Sequence, residues 1–388
     1  MHLVKVSLND AECYVTACKD NHKIVTLRYR YRENRLHSLC NLQVNLRYAR
    51  LHYFCNIDTA KIGCIHIVTC KQACVTLVCT IFTLEIVKNP NKMLSILIPT
   101  KDYNCRILVE ALSRQGELLG VPYEILLGED GSSCEGVELN RPMSQLPGCR
   151  IIEYKENQGR ARIRNRLAEE ARYENLVFID SDAIVEKKDY LATYLLALQC
   201  HNIVCGGLYH PVIIPSPDCT LRYKYEKNAD KKRPASVRAK RPYNDFSTFN
   251  FAIKRELFLS IRFDESIKEY GYEDTLFGHQ IKARGHVVEH IDNPLLHTGL
   301  ESNKQYLRKI EQSLKTLYTI REEIDTTPLL SAFRRLRSLG LLPLSAWTWR
   351  QTQQLLLANL MSESPSLFLF KLYKLGYYCN YVLRDCKK

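Results

Sequence analysis

Leu176-Val177-Phe178-Ile179-Asp180-Ser181-Asp182 joins a wholly apolar run to a pair of carboxylates. Four apolar residues rich in branched and aromatic side chains have the length and composition of a strand buried on both faces, the kind found inside a parallel sheet. Two carboxylates one residue apart at the end of such a strand are costly to hold beside apolar surface unless a cation compensates them. Hard oxygen ligands in that arrangement suit magnesium or manganese bound together with phosphate oxygens. The same three letters also occur in ordinary solvated turns, and it is the strand in front that favours the metal.

Similar short apolar runs lie on either side, at residues 94–99, 123–128, 150–154 and 203–209. Helical patterns separate them, at residues 106–119, 159–173 and 188–199. This alternation predicts an α/β fold over residues 93–302: a Rossmann-like, mostly parallel sheet with helices on both faces. Ligands of such sheets bind beyond the carboxyl ends of the strands, where the polar motifs of this chain fall. From residue 303 to 388 no strand pattern remains, and a C-terminal helical extension is expected. Residues 303–323 read as one long amphipathic helix, with Pro328, Pro343 and Pro365 marking breaks between further helices. The last of them, residues 366–384, is basic and aromatic. Packing on the catalytic domain with its lysines in water is the simpler reading, and contact with a membrane surface is the other.

The chain has 388 residues, 46% of them hydrophobic and 25% charged, which allows a core of ordinary size without staples. The formal net charge of +13 favours anionic company: nucleic acid, an anionic membrane surface or phosphorylated substrates. No apolar signal segment opens the chain and no apolar run reaches the length of a bilayer span, so a cytoplasmic, reducing location with free thiols is expected. Residues 73–87, the most apolar stretch, read as a buried strand. Residues 1–92 differ from the rest. They hold eight of the 16 cysteines, one glycine (Gly63), one proline (Pro90) and 13 basic against six acidic residues, with no evident helical or strand period. The abrupt change at Met93 predicts that residue as the natural start, with residues 1–92 an irregular upstream extension; a genuine accessory segment is the alternative.

Further polar motifs accompany the strand ends. Glu129-Asp130-Gly131-Ser132 closes the run at 123–128, its glycine permitting a tight turn and its acid able to accept hydrogen bonds from a base or ribose. Asn157-Gln158-Gly159-Arg160-Ala161-Arg162-Ile163-Arg164-Asn165 opens a helix, and a helix N-terminus with glycine and arginines is a natural diphosphate site. Glu273-Asp274 begins a helix where an acid complements the dipole, and one of the two acids is a candidate base pointing into the cleft. His297 becomes a ligand candidate only if the chain folds back to the metal. Residues 222–241 hold nine basic residues against Glu226 and Asp230, with tyrosines interleaved. This predicts a segment mobile when empty, closing over an anionic substrate or serving as a nucleic-acid patch.

Taken in order, Ile98-Pro99-Thr100, Glu129-Asp130-Gly131-Ser132, Asn157-Gln158-Gly159 with Arg164-Asn165, Phe178-Ile179-Asp180-Ser181-Asp182, Phe251-Ala252-Ile253-Lys254-Arg255, Phe263-Asp264-Glu265 and Gly271-Tyr272-Glu273-Asp274 resemble the family 2 glycosyltransferases of GT-A fold. The resemblance covers residue 94 to about residue 301. It implies that Pro99 and Thr100 line a nucleotide pocket, that Asp130 contacts the base or ribose, and that Arg164 sits near the diphosphate. It implies further that Asp182 ligates Mn2+ or Mg2+, with Asp180 reaching the ribose or the metal and His297 an additional ligand. Asp274 would be the catalytic base and Glu273 its neighbour. The implied activity is inverting transfer of a sugar from a nucleotide-diphosphate donor, a UDP-sugar by expectation, to a hydroxyl of a saccharide or lipid-linked acceptor. The biological setting would be bacterial polysaccharide synthesis, with peripheral contact at the inner face of the cytoplasmic membrane. A nucleic-acid-binding protein and a nucleotidyltransferase using the same metal-nucleotide pocket are the alternatives, and the ordered motifs argue against both. Glu129 stands where the family carries a first aspartate, and residues 1–92 and the helical tail have no counterpart in the family core.

Overall fold

The computed structural model describes residues 93–388 apart from 231–232, 268–269, 325–326 and 386–388, and before them five strands between residues 2 and 55. The chain divides into two compact units, Met1–Ile81 and Phe82–Lys388.

In the first unit, His2–Leu8, Ala11–Ala17, Ile24–Glu33, Leu36–Asn45 and Arg50–Cys55 form an antiparallel sheet in which each strand pairs with the next. The irregular segment expected there therefore contains regular strands over part of its length. Its longest strands do carry a period: Leu27, Tyr29 and Tyr31 alternate with Arg28, Arg30 and Arg32, the two-residue repeat of a pleated strand. Residues 56–92, including the strand expected at 73–87 and the junction before Met93, lie outside the described residues.

The second unit carries the expected α/β architecture. Its strands are β1 (Leu94–Thr100), β2 (Tyr123–Asp130), β3 (Cys149–Tyr154), β4 (Asn175–Ile179), β5 (Ala183–Ile184), β6 (Ile203–Cys205), β7 (Leu208–Tyr209), β8 (Asn250–Lys254), β9 (Glu289–His290) and β10 (Leu295–His297). Seven form one sheet in the order β9-β6-β8-β4-β1-β2-β3, and β5-β10-β7 form a small second sheet. Within the large sheet β4, β1, β2 and β3 run parallel, while β8 is antiparallel to both β4 and β6. The apolar run expected at 203–209 is interrupted at Gly206-Gly207, Gly207 taking a φ of +85° that favours glycine.

Helices cover both faces because the strands are apolar on both. Helix α1 (Arg106–Leu118) packs Leu108, Val109 and Leu112 against Ile96, Ile98 and Ile125. Helix α3 (Arg160–Glu170) packs Ile163, Leu167 and Ala168 against Leu97, Leu126 and Phe178. Phe178 of β4 and Phe251 of β8 stack with centroids 4.7 Å apart, so the antiparallel strand is held by side chains as well as by its ladder.

Helix α8 (Glu273–Ala283) follows at the predicted place. The tail is helical: α9 (Asn303–Ile320), α10 (Pro328–Ser338), α11 (Leu342–Leu360) and α12 (Leu367–Asp385). Pro328 and Pro343 start their helices, where the missing N–H costs nothing. Helix α12 buries Phe370, Tyr373, Tyr378 and Cys379, which is the packed arrangement of the simpler reading. Among the described residues no helix is long and apolar enough to cross a membrane.

The basic stretch departs from the expectation of a mobile segment. It forms helices α5 (Thr220–Ala229) and α6 (Ala235–Arg238), and Arg222 and Arg238 are buried. Arg238 donates to the carbonyls of Cys205, Gly206 and Ile291, and Arg222 donates to the Gly299 carbonyl and the Glu301 carboxylate. Backbone carbonyls around the Gly206-Gly207 break, together with Ile291, give Arg238 partners that composition does not show.

Candidate active site

The carboxyl ends of β1, β2 and β4 open into a cleft of about 1390 Å³ lined by Pro99, Thr100, Asp130, Arg164, Asp180, Asp182, Glu273, Asp274 and His297, among others. All nine residues singled out from the sequence therefore come together.

The side of the cleft at the ends of β1 and β2 is built from two turns braced on each other. Thr100 ends β1 almost fully buried, and Asp102, at a φ of +49°, accepts from the backbone N–H and hydroxyl of Ser133, both at 2.7 Å. Asp130 accepts from the backbone N–H groups of Gln158 at 2.5 Å and Gly159 at 3.1 Å, so it fixes the turn that starts α3. Burial raises its carboxyl above the ordinary range, against the pull of those two donors. Glu129, the departure from the family pattern, is fully buried and accepts from Ser132 at 2.5 Å and Asn140 at 2.7 Å. It supports the loop and does not face the cleft.

Asp180 and Asp182 have different partners. Arg164 is 2% exposed and donates to Asp180 Oδ1 at 2.6 Å. A guanidinium so enclosed holds Asp180 in place; Arg160 of the same helix also lines the cleft and is far more exposed, lying over the Tyr270 ring and 3.5 Å from Glu273. Asp182 Oδ2 lies 3.1 Å from His297 Nε2, brought there by the pairing of β5 with β10. Burial would raise the Asp182 carboxyl, but the His297 hydrogen bond and the charges of His297, Arg222 and Arg160 outweigh this and lower it. Gly299 closes the same corner: a Cβ there would lie 1.9 Å from Asp182 Oδ2.

Glu273 and Asp274 begin α8 after Tyr272, whose φ of +66° is strained for a side-chain-bearing residue. Glu273 Oε2 accepts from Gly271 N–H at 3.0 Å, while Asp274, which also lines the cleft, accepts from the Thr275 N–H at 2.7 Å and the Thr275 hydroxyl at 3.4 Å. Burial, then the neighbouring Glu273, pushes the Asp274 carboxyl up to about 6.

A cluster that sequence reasoning missed stands behind His297. His210, 1% exposed, places Nε2 3.2 Å from His297 Nδ1 and Nδ1 2.8 Å from Asp230 Oδ1. Glu226 Oε2 is 3.1 Å from the same His210 Nε2 and 3.1 Å from Arg233. His210 follows β7, Glu226 lies on α5 and Asp230 caps that helix, all far from His297 in sequence and without a local spacing signal.

Residues 95–262 match the family model of Glycosyl transferase family 2. That stretch spans β1 to β8, so the chain carries a glycosyltransferase domain that matches family 2. No curated protein sequence matches the chain. Among solved structures, the mannosyltransferase PcManGT from Pyrobaculum calidifontis, in complex with GDP-Man and Mn2+, aligns at 16% identity over 83% of this chain and 98% of its own, with a TM-score of 0.45. TarS from S. aureus aligns at 17% identity over 64% of this chain and 43% of its own, with a TM-score of 0.40. A structure of TarS residues 1–349 with UDP-GlcNAc aligns at 13% identity over 76% of this chain and 92% of its own, with a TM-score of 0.40.

Proposed function

We propose that this family 2 glycosyltransferase domain moves a sugar from a nucleoside-diphosphate donor, a UDP-sugar, to a hydroxyl of a saccharide or lipid-linked glycan, inverting the anomeric centre. The observation that carries the reading is one cleft holding both an acid poised near neutrality, Asp274, and an Asp182–His297 pair suited to a cation.

Asp274 acts as the base. Its carboxyl at about 6 is ionised at neutral pH yet basic enough to take a proton from an acceptor hydroxyl as that oxygen attacks. The acceptor oxygen bonds to the anomeric carbon while the carbon–oxygen bond to the diphosphate breaks, and the proton stays on Asp274. Glu273, tied to Gly271 and Arg160, keeps the start of α8 fixed. Asp130 holds the turn that faces the nucleoside, with Pro99 and Thr100 forming its floor.

A divalent metal fits the residues present. Asp182 offers a carboxylate oxygen and His297 an imidazole nitrogen 3.1 Å away. A mixed oxygen and nitrogen set suits Mn2+ better than Mg2+, which prefers oxygen alone. When bound, the metal supplies Lewis-acid stabilisation of the charge on the departing diphosphate. Asp180, with one oxygen committed to Arg164, presents the other towards the ribose or the metal. Arg164 serves the site through Asp180. The nucleic-acid alternative loses support, because Arg222 and Arg238 of the basic stretch are engaged inside the domain.

Isothermal titration of UDP and of GDP, each with and without Mn2+, tests the reading. Metal-dependent binding of UDP is the expected result. Binding of neither nucleotide by the folded protein would overturn it, and preference for GDP would reassign the donor.

A further inference from the structure

We infer that Lys374 of helix α12 binds an anionic group, phosphate or carboxylate, carried by the acceptor, so that the helical extension selects acidic acceptors. This rests on the reading of Asp274 as the base, which brings the acceptor to that side of the cleft. Lys374 lines the same cleft as Asp274. Its neighbour Lys371 is exposed, whereas Lys374 is half-buried, with Nζ over the Phe370 ring at 4.6 Å and the Tyr225 ring at 4.8 Å. Among the described residues no carboxylate pairs with it, and burial, then the charge of Lys371, brings its ammonium down to about 8. It is therefore charged at neutral pH in a place where a charge without a counter-ion is costly, and the aromatic faces offset only part of that cost.

Most other cations lining the cleft are already matched: Arg160 by Glu273, Arg222 and Lys309 by Glu301, and Arg233 by Glu226. Lys101 is exposed and so needs no partner. Helix α9 ties Lys374 to the base side. Its Ser313 packs against Gly271, three residues before Asp274, and its Tyr306 packs on Phe370 with centroids 5.9 Å apart. Tyr306 and Ser313 are two turns apart, about 10 Å along the helix, so the ammonium lies beyond the reacting hydroxyl and not on it. Tyr225, 37% exposed, lines the cleft between them and offers an acceptor sugar both a ring and a hydroxyl.

The test is calorimetry on the full chain with UDP and Mn2+ filling the donor site. The probes are methyl glucuronide, glucose 1-phosphate and the neutral methyl glucoside. Both acidic sugars are expected to bind about 10- to 100-fold more tightly than the neutral one. Lys374→Met, similar in length and uncharged, is expected to abolish that preference, and Lys374→Arg to keep it; Lys374→Gln carries the test if the methionine variant fails to fold. The thermal midpoint of Lys374→Met should not fall, because methionine suits aromatic surroundings. A merely structural lysine would lower the midpoint and leave the preference intact. Decyl phosphate separates the sources of the charge: tighter binding than glucose 1-phosphate, lost in Lys374→Met, assigns it to a lipid-linked phosphate, and the reverse order assigns it to the saccharide. No difference between acidic and neutral probes in the wild-type protein, or an unchanged preference in folded Lys374→Met, would overturn the assignment alone. Loss of UDP binding in folded Lys374→Met would also overturn it, moving the ammonium to the donor diphosphate. Absence of UDP binding by the wild-type protein would instead remove the glycosyltransfer reading and the acceptor assignment with it.

Discussion

At the scale of single residues, Asp274 and Gly299 separate chemistry from support. Asp274→Asn keeps size and the Thr275 contact but removes the base, so transfer should fall about 10²- to 10⁴-fold with donor affinity little changed. Single-turnover assays paired with nucleotide titration check this, and retained turnover would take Asp274 out of the role. The pH profile follows from the same carboxyl. With a value near 6 in the folded protein, the base is lost as pH falls through 6, so kcat/KM should drop about tenfold per unit below that point. The stability effect has the opposite sign: a carboxyl raised by folding is uncomfortable when ionised, and its protonation between about 6 and its ordinary value of 3.8 relieves that cost. Gly299→Ala would place a methyl 1.9 Å from Asp182 Oδ2 and force the carboxylate off His297. Loss of Mn2+ affinity, and with it of Mn2+-dependent UDP binding, in a protein that still folds is the expected outcome, measured by calorimetry. Asp182 and Asp130 were legible in the sequence because each follows an apolar run, and Asp274 because it opens a helix within the ordered motif series. The partners that define their chemistry, Arg164 on Asp180 and His210 behind His297, were not, since ion pairs across 16 residues and ring contacts across 87 leave no local pattern.

At the scale of elements, the strands with the longest uninterrupted apolar runs could be read directly. Strands β1, β2 and β4 are buried between helices, and their composition follows from that burial, whereas β3 is a half-exposed edge strand. The two-residue strands β5 and β9 and the three-residue β10 were not legible, because so few residues show no period and their pairing is set by distant partners, while β7 fell inside the run expected at 203–209. Strand β8 was noticed as a motif but not as a strand; it runs antiparallel in an otherwise parallel neighbourhood, where the βαβ rhythm breaks. The start of α8 is the element whose geometry most concerns function. Gly271 has a φ of +103°, and a Cβ there would meet Ser313 of α9 at 2.4 Å. Gly271→Ala should therefore destabilise the protein by about 2 kcal/mol through strain and overpacking, and should lower transfer by shifting Glu273 and Asp274. Thermal unfolding followed beside a transfer assay checks this; an unchanged midpoint would mean that α8 and α9 part easily.

At the scale of the whole molecule, the two compact units differ in kind. Residues 94–388 hold a sheet whose central strand β1 finds both its neighbours, β2 and β4, within the same unit, and whose two faces are closed by that unit's own helices. Burial of two apolar faces is the main source of stability for such a fold, and the described residues that line the cleft run from Pro99 onward. We therefore expect a chain beginning at Met93 to fold and to bind UDP with the affinity of the full chain. Calorimetry on both chains, with thermal unfolding as the control for folding, makes the comparison. Equal affinity would support an N-terminal segment dispensable for the donor site, as the change of composition at Met93 predicts. A weakened site in a folded shorter chain would mean that residues 1–92 bear on the donor pocket, and would make them a genuine accessory unit of the enzyme.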